Sequence, residues 1–290
     1  MKRILFALTL FCFSFLAKAQ IMDDVLFKHF GGEGNEAYTD LVTAHKDFKK
    51  VFKLHLNGLP DEKHKNYLKD LVYLQALALT NNGYTTLPQE IFKFHGLMYL
   101  YSKGNNLTNL GTGFEGLSNL TYLKLFDTKL DSLPIEIAYL SKLQLLHIQH
   151  NTAPLLKLTK EIRYLGSLQD LLIHNSNLDS LPGSIGKLSA LTQISITKCG
   201  VSYIPNEIKG LKKLNYLVLD DNKLNEIPSS FFQLTNLEYL SLKNNGITKI
   251  SEDIANLQKL RTLDLRGNSI DKENLMIVQA LLSHCKIITE

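Results

Sequence analysis

Apolar residues recur along this chain on a fixed step. Leu74, Leu97, Leu120, Leu143, Leu168, Leu191, Leu214, Leu237 and Leu260 each open a similar stretch, 23 residues apart except for 25 between Leu143 and Leu168. In the clearest copy, Leu214-Asn-Tyr-Leu217-Val-Leu219-Asp-Asp-Asn222-Lys-Leu224, leucines alternate with other residues as in a half-buried strand, and an asparagine then marks a turn. Ile227-Pro228 follows. Pro lacks an amide hydrogen and fixes φ, so it sends the chain onto a new path. A period of this length predicts a solenoid, in which each unit buries its apolar face only against its neighbours. Counting back one period from Leu74 places a degenerate opening unit at Val51, with Leu54, Leu56, Leu68 and Leu71 at its apolar positions.

The flanks break the period. Glu36 to Lys50 reads as an amphipathic helix with Tyr38, Leu41, Val42, His45 and Phe48 on one stripe, a cap for the open end of the first unit. Before it, Ile21 to Phe30 allows a short helix, and Gly31-Gly-Glu-Gly34-Asn35 is a break. From Asp271 the period stops. Asn274 to Cys285 predicts a helix with Leu275, Val278, Leu281 and Leu282 inward, and Lys286-Ile-Ile-Thr a last strand. At the start, Lys2-Arg3, an apolar run from Ile4 to Ala17, and Ala17-Lys18-Ala19 have the order of a secretory signal cleaved after Ala19. The run of about 14 apolar residues is too short to span a bilayer, which needs roughly 20. The expected layout is a signal peptide over 1–19, a helical cap over 20–50, about ten repeats over 51–270 and a C-terminal cap over 271–290.

The pattern L-x-x-L-x-L-x-x-N-x-L-x-x-L-P-x-x-I-x-x-L resembles the leucine-rich repeat family, in its typical 23-residue class, across about 50–270. The resemblance implies an α/β solenoid. It would be a horseshoe with a concave parallel β-sheet, convex helical or irregular segments, and helical caps at both ends. The C-terminal helix is similar to the caps of bacterial exported members. In such a frame the first, fourth, sixth and eleventh residues of each unit pack inward. The ninth is Asn82, Asn105, Asn151, Asn222, Asn245 or Asn268, with Thr128, Ser176 and Cys199 in the remaining units. There a buried amide can satisfy backbone groups at the turn. Pro88, Pro134, Pro182, Pro205 and Pro228 open the convex segments, and Ile91, Ile137, Ile162, Ile185, Ile208 and Ile254 seal them.

Composition removes some function classes. The formal charge of +4 includes Lys2, Arg3 and Lys18; without residues 1–19 the balance is 29 basic against 28 acidic residues. The basicity thus belongs largely to the signal and gives no phosphate-neutralising patch for nucleic acid. Of the three cysteines, Cys12 lies in the signal, and Cys199 and Cys285 stand more than three repeats apart. That separation is too long for a disulfide, so both are expected free. No phosphate loop, nucleophile elbow or paired-histidine zinc motif is present, and no stretch outside repeats and caps is left for a catalytic domain. The expectation is a protein that is not an enzyme and carries no cofactor or metal. His147, His150 and His174 would have to converge to hold zinc, and a solvated, ring-stacked group is the simpler reading.

Side chains alternate across a strand, so the third, fifth and seventh positions face outward on the concave side. The third gives Tyr99, Tyr122, Leu145, Tyr216 and Tyr239; the fifth gives Tyr101, Lys124, His147 and Leu172; the seventh gives Phe126 and His174. On repeats two to five these form a contiguous aromatic and apolar patch, the candidate partner surface. The alternative is that the rings merely pack on one another across the sheet. Two irregular units lie in the same region, with an insertion in Thr152-Ala-Pro154-Leu-Leu-Lys157 and a lost Leu-Pro at Leu110-Gly111-Thr-Gly113. The expected function is an exported, monomeric, non-catalytic binding protein of the periplasm, cell surface or extracellular space. It would take a protein or peptide on its concave face, with no membrane span after cleavage. A glycan or small-molecule receptor using the same aromatics, and an envelope scaffold or adhesion protein, are the alternatives.

Overall fold

The computed structural model describes residues 30, 36–58, 65–153 and 155–290. The expected signal peptide, the helix read over 21–30 apart from Phe30, the glycine break at 31–35 and Pro154 of the insertion lie outside them.

Among the described residues one open parallel sheet of eleven strands runs from Lys53 to Ile288 in strictly sequential order. Its strands are β1 (Lys53–Asn57), β2 (Ala76–Thr80), β3 (Tyr99–Lys103), β4 (Tyr122–Phe126), β5 (Leu145–Gln149) and β6 (Asp170–His174). Then come β7 (Gln193–Thr197), β8 (Tyr216–Val218), β9 (Tyr239–Ser241), β10 (Thr262–Asp264) and β11 (Lys286–Ile288). Between strands the chain returns through short 3-10 turns, such as Gly183–Lys187 and Asn206–Gly210. The prolines sit at their N-caps, where the absent N–H is no loss. Each return is a chain of three-residue hydrogen bonds: Ile185 N to Pro182 O at 2.9 Å, Leu188 N to Ile185 O at 3.0 Å, Leu191 N to Leu188 O at 3.0 Å. These bonds leave Ile185, Leu188 and Leu191 pointing into one continuous leucine and isoleucine core.

Two features make the repeat possible. The eighth residue of successive units has positive φ: Asn81, Asp127, His150, Asn175, Lys198, Asp221 and Asn244, with Gly104 and Gly267 in the same place. The ninth then closes the turn. The Asn222 Oδ1 accepts from the backbone N–H of Cys199 and of Val201, both at 3.1 Å. Its Nδ2 donates to Ile196 O at 2.7 Å and Leu219 O at 2.9 Å. One buried amide thus ties its own turn to the previous one, and Asn105, Asn245 and Asn268 repeat the arrangement. At Cys199 the thiol supplies only the donor half, to Ile173 O and Thr197 O. Cys199 and Cys285 are both free thiols.

The N-terminal cap differs from the expected helix over 36–50. Its helix α1 spans only Leu41–Lys46, because the Asp40 carboxylate accepts from the Val42 and Thr43 amides and fixes the start there. Leu41 and Ala44 are buried, whereas Val42 and Phe48 are each 37% exposed and do not face the core. Tyr38 is extended: its N–H donates to Lys53 O and its C=O accepts from His55 N–H, at 3.0 and 2.8 Å. It thereby covers part of the free edge of β1. At the other end α2 (Lys272–Leu281) buries Asn274 and Val278, and β11 pairs with β10.

The irregular units are packed. In the fourth, Lys157 and Leu156 bridge to Ser132 and Leu178, so the two-residue insertion is knitted into the flank after the asparagine turn. In the second, Gly113 has φ 112° and a Cβ there would stand 2.9 Å from Phe92, whose ring packs on Phe114. Gly111, two residues earlier, stands where other units carry proline, and its φ of 79° is closed to proline.

The turn makes a paired prediction. Asn222→Leu leaves several buried backbone groups unpaired and should lower stability by about 2–5 kcal/mol. Lys198→Gly relieves a left-handed lysine and should raise it by about 1 kcal/mol. Urea unfolding followed by circular dichroism reads both; equal signs would contradict this account of the turn.

Candidate functional site

The sheet places the outward residues in three rows whose order the strand register fixes. The third-position row reads Tyr99, Tyr122, Leu145, Asp170, Gln193, Tyr216, Tyr239. The fifth-position row reads Tyr101, Lys124, His147, Leu172, Ser195, Val218, Ser241. In the seventh-position row Lys103, Phe126, Gln149, His174 and Thr197 follow one another.

The rings run diagonally across these rows. Tyr101 meets Phe126 edge to face at 5.3 Å, Phe126 meets His147 at 4.6 Å, and His147 meets His174 at 5.2 Å. Tyr99 and Tyr122 form a second group at 6.4 Å. Further along, Tyr216 and Tyr239 stack face to face at 4.4 Å. All eleven candidate residues therefore lie on one face, and nine of them, on β3 to β6, are contiguous.

Their exposure departs from expectation. Tyr99, Lys124 and His147 are each 1% exposed, and Leu145, Leu172 and His174 are also buried. Tyr101, Tyr122, Phe126, Tyr216 and Tyr239 are half-buried. Where a solvated, ring-stacked histidine group is expected, His147 and His174 instead meet edge to face and are buried. Among the described residues nothing hydrogen-bonds either ring nitrogen of His147. His150 turns away: it holds Asp127 at 3.3 Å on the rim, so the three imidazoles do not converge. Among the described residues no group of three or more His, Cys, Asp or Glu is placed to hold a metal ion.

Burial governs the charge states. It pushes the His147 imidazole well below its ordinary value of 6.5, with the neighbouring His174 and Lys124 adding to the effect. His174 falls to about 4 through burial and the nearby His150, and burial brings Lys124 down to about 8. Asp170, between Leu145 and Gln193, is pushed up to about 6 by burial. Tyr101 rises to about 12, first through burial and then through the charge of Asp127.

Residues beyond the eleven candidates belong to the same face. Asp220 accepts from the Ser241 hydroxyl and, at 3.0 Å, from the Lys243 amide. Asp264 is gripped by Arg266 through Nε at 3.0 Å and a second nitrogen. The face thus carries a carboxylate near its middle, Asp170, and two toward its C-terminal end, Asp220 and Asp264, the last paired with Arg266. Phe30 also reaches it, packing on Tyr99 at 5.9 Å and on Tyr122 at 6.4 Å. The acidic positions follow from the same register as the rest. Phe30 has no periodic signal, because it lies outside the repeat.

The leucine rich repeat family profile matches residues 72–130 and 212–270. The chain is a leucine-rich repeat protein. Among curated relatives it is 34% identical over 134 residues to a probable inactive serine/threonine-protein kinase, roco10, of Dictyostelium discoideum. That alignment takes in 44% of this chain and only 5% of the relative. An internalin from Listeria monocytogenes, inlF, shares the fold at TM-score 0.70 and 24% identity, over 86% of this chain and 70% of that one. A plant peptide hormone receptor, RGFR1, solved in complex with RGF2, gives TM-score 0.62 and 24% identity over 87% of this chain and 45% of that one. Among the described residues no helix of this leucine-rich repeat chain is long and apolar enough to cross a membrane.

The buried imidazole predicts a pH effect. His147 has a folded pKa below its unfolded value, so its stability contribution is complete above about pH 6.5. It is lost as pH falls through the window below that value. His147→Leu removes this loss and leaves His174 and Asp170 unchanged. The stability gap between variant and wild type should widen in the variant's favour from pH 7 to pH 5, by at most about 1.4 kcal/mol per pH unit. Parallel melting curves across that range would contradict the assignment.

Proposed function

We propose that this leucine-rich repeat protein is an exported, non-catalytic binding protein that takes a protein or peptide partner on the concave face of β3 to β6. The family and fold carry a protein-interaction role in general; the surface and the partner class are the further step. One observation carries that step: the His147 imidazole, almost fully buried and without a hydrogen-bond partner among the described residues. An unpaired buried polar group costs about 1–3 kcal/mol. A side chain that only filled the ring stack would serve better as leucine, the residue found beside it at 172. A partner that shifts the ring stack and offers a hydrogen-bonding group to one of the two buried ring nitrogens recovers part of the deficit on binding. Around it, half-buried Tyr101, Tyr122 and Phe126 supply the rigid amphipathic area that concentrates binding energy.

A peptide suits the face better than a sugar. Sugar stacking needs free ring faces, yet Phe126 is engaged by Tyr101 and His147, and Tyr122 by Tyr99 and Phe30. The plant receptor solved with RGF2 supports the reading by fold-level analogy alone. Export rests on the Lys2 to Gln20 pattern, and mass spectrometry of the secreted chain should find Gln20 as its first residue. An intact Met1 would overturn export.

The binding reading is tested by capture and crosslinking with wild type and a Tyr101→Ala/Tyr122→Ala double variant. Loss of two aromatic anchors should weaken partner recovery by about tenfold or more. Equal recovery by a folded double variant would remove the site from this face.

A further inference from the structure

Tyr99 and Tyr122 face the concave side, yet a third ring from outside the repeats already sits on them. Phe30 lies 5.9 Å from Tyr99, tilted at 45°, and 6.4 Å from Tyr122, edge to face at 70°. Tyr99 and Tyr122 are themselves 6.4 Å apart, so the three rings form a closed aromatic triangle. These spacings fall within the range in which aromatic pairs attract beyond simple area burial. Phe30 is not part of the horseshoe's core: it is half-buried, and its neighbours in the triangle are rows of the recognition face.

We propose that Tyr99 and Tyr122 form a subsite for an aromatic side chain, that Phe30 of the same chain occupies it, and that a peptide partner seats its own aromatic residue there by displacing Phe30. This rests on the reading of the concave face as the binding surface and specifies the partner chemistry at one end of it. The tether makes the competition effective. Five residues, three of them glycine, join Phe30 to Glu36. A short tether of that kind holds a group near its site at an effective concentration on the order of 1 mM. A partner that lacks an aromatic residue gains nothing by displacing Phe30. The occupied subsite therefore discriminates among peptides as well as lowering their apparent affinity.

The chain has no tryptophan, so Phe30→Trp in the full chain introduces a single reporter. Its emission should be shifted to the blue of free tryptophan, and Tyr122→Ala, a change at a half-buried position, should move it back toward the free value. A synthetic peptide of residues 20–35, added in trans up to the millimolar range, should also red-shift the emission. The same peptide carrying Phe30→Ala should have no effect. Water-like emission from Phe30→Trp, insensitivity to Tyr122→Ala, or equal action of the two peptides would overturn the proposal. Failure here, with the Tyr101→Ala/Tyr122→Ala double variant still losing its partner, would remove the Phe30 subsite and leave the concave binding face standing. A buried, displaceable tryptophan with undiminished partner recovery by the double variant would do the reverse.

Discussion

The backbone turn after each strand is the constraint on which the rest of this molecule depends. Each strand must end by reversing out of the sheet, and the chain does so at an eighth residue with positive φ, from Asn81 through Asn244. That geometry exposes backbone N–H and C=O groups inside a stack where water does not reach. A buried amide at the ninth position satisfies them, as Asn222 does for Cys199, Val201, Ile196 and Leu219. Because the same amide bonds to the preceding unit, the turn of one repeat sets the spacing of the next. Leucine burial supplies the driving force, but it is non-directional. The ladder supplies the register.

Register in turn decides what the concave face can be. With the turn fixed, Tyr99, Tyr122, Leu145 and Asp170 fall in one row, and Tyr101, Lys124, His147 and Leu172 in the next. Strand spacing then brings long side chains on adjacent strands into contact whether or not they are complementary. Around His147 they are not: burial, Lys124 and His174 all oppose its protonation. A frame held by the ladder and the leucine core tolerates such local frustration on a face that contributes little to the core. That is the physical opening for recognition.

Much of this was legible in the residues, for a definite reason. The period, the inward leucines, the asparagine ladder and the proline-capped convex turns are short-range patterns that each unit repeats. The concave columns follow from them by counting. The N-terminal cap was less legible: the apolar spacing of Tyr38, Leu41, Val42, His45 and Phe48 suits a helix, but Asp40 caps it late and Tyr38 is drawn to the edge of β1. Burial of the histidines was also missed, since exposure on a concave face depends on the size of neighbours in three strands at once. Phe30 lay beyond any sequence signal. Its contacts with repeats two and three are long-range and come from outside the repeats, so no periodicity reports them.

The central claim is that the ladder-held frame presents β3 to β6 as its recognition face. Hydrogen exchange of the full chain, with and without a captured partner, tests it most directly. The account predicts that added protection concentrates on the strands and following turns from Tyr99 to Asn175, while the convex turns from Ile135 to Lys209 exchange as before. Added protection confined to the convex turns, or to β8 to β10, would contradict it.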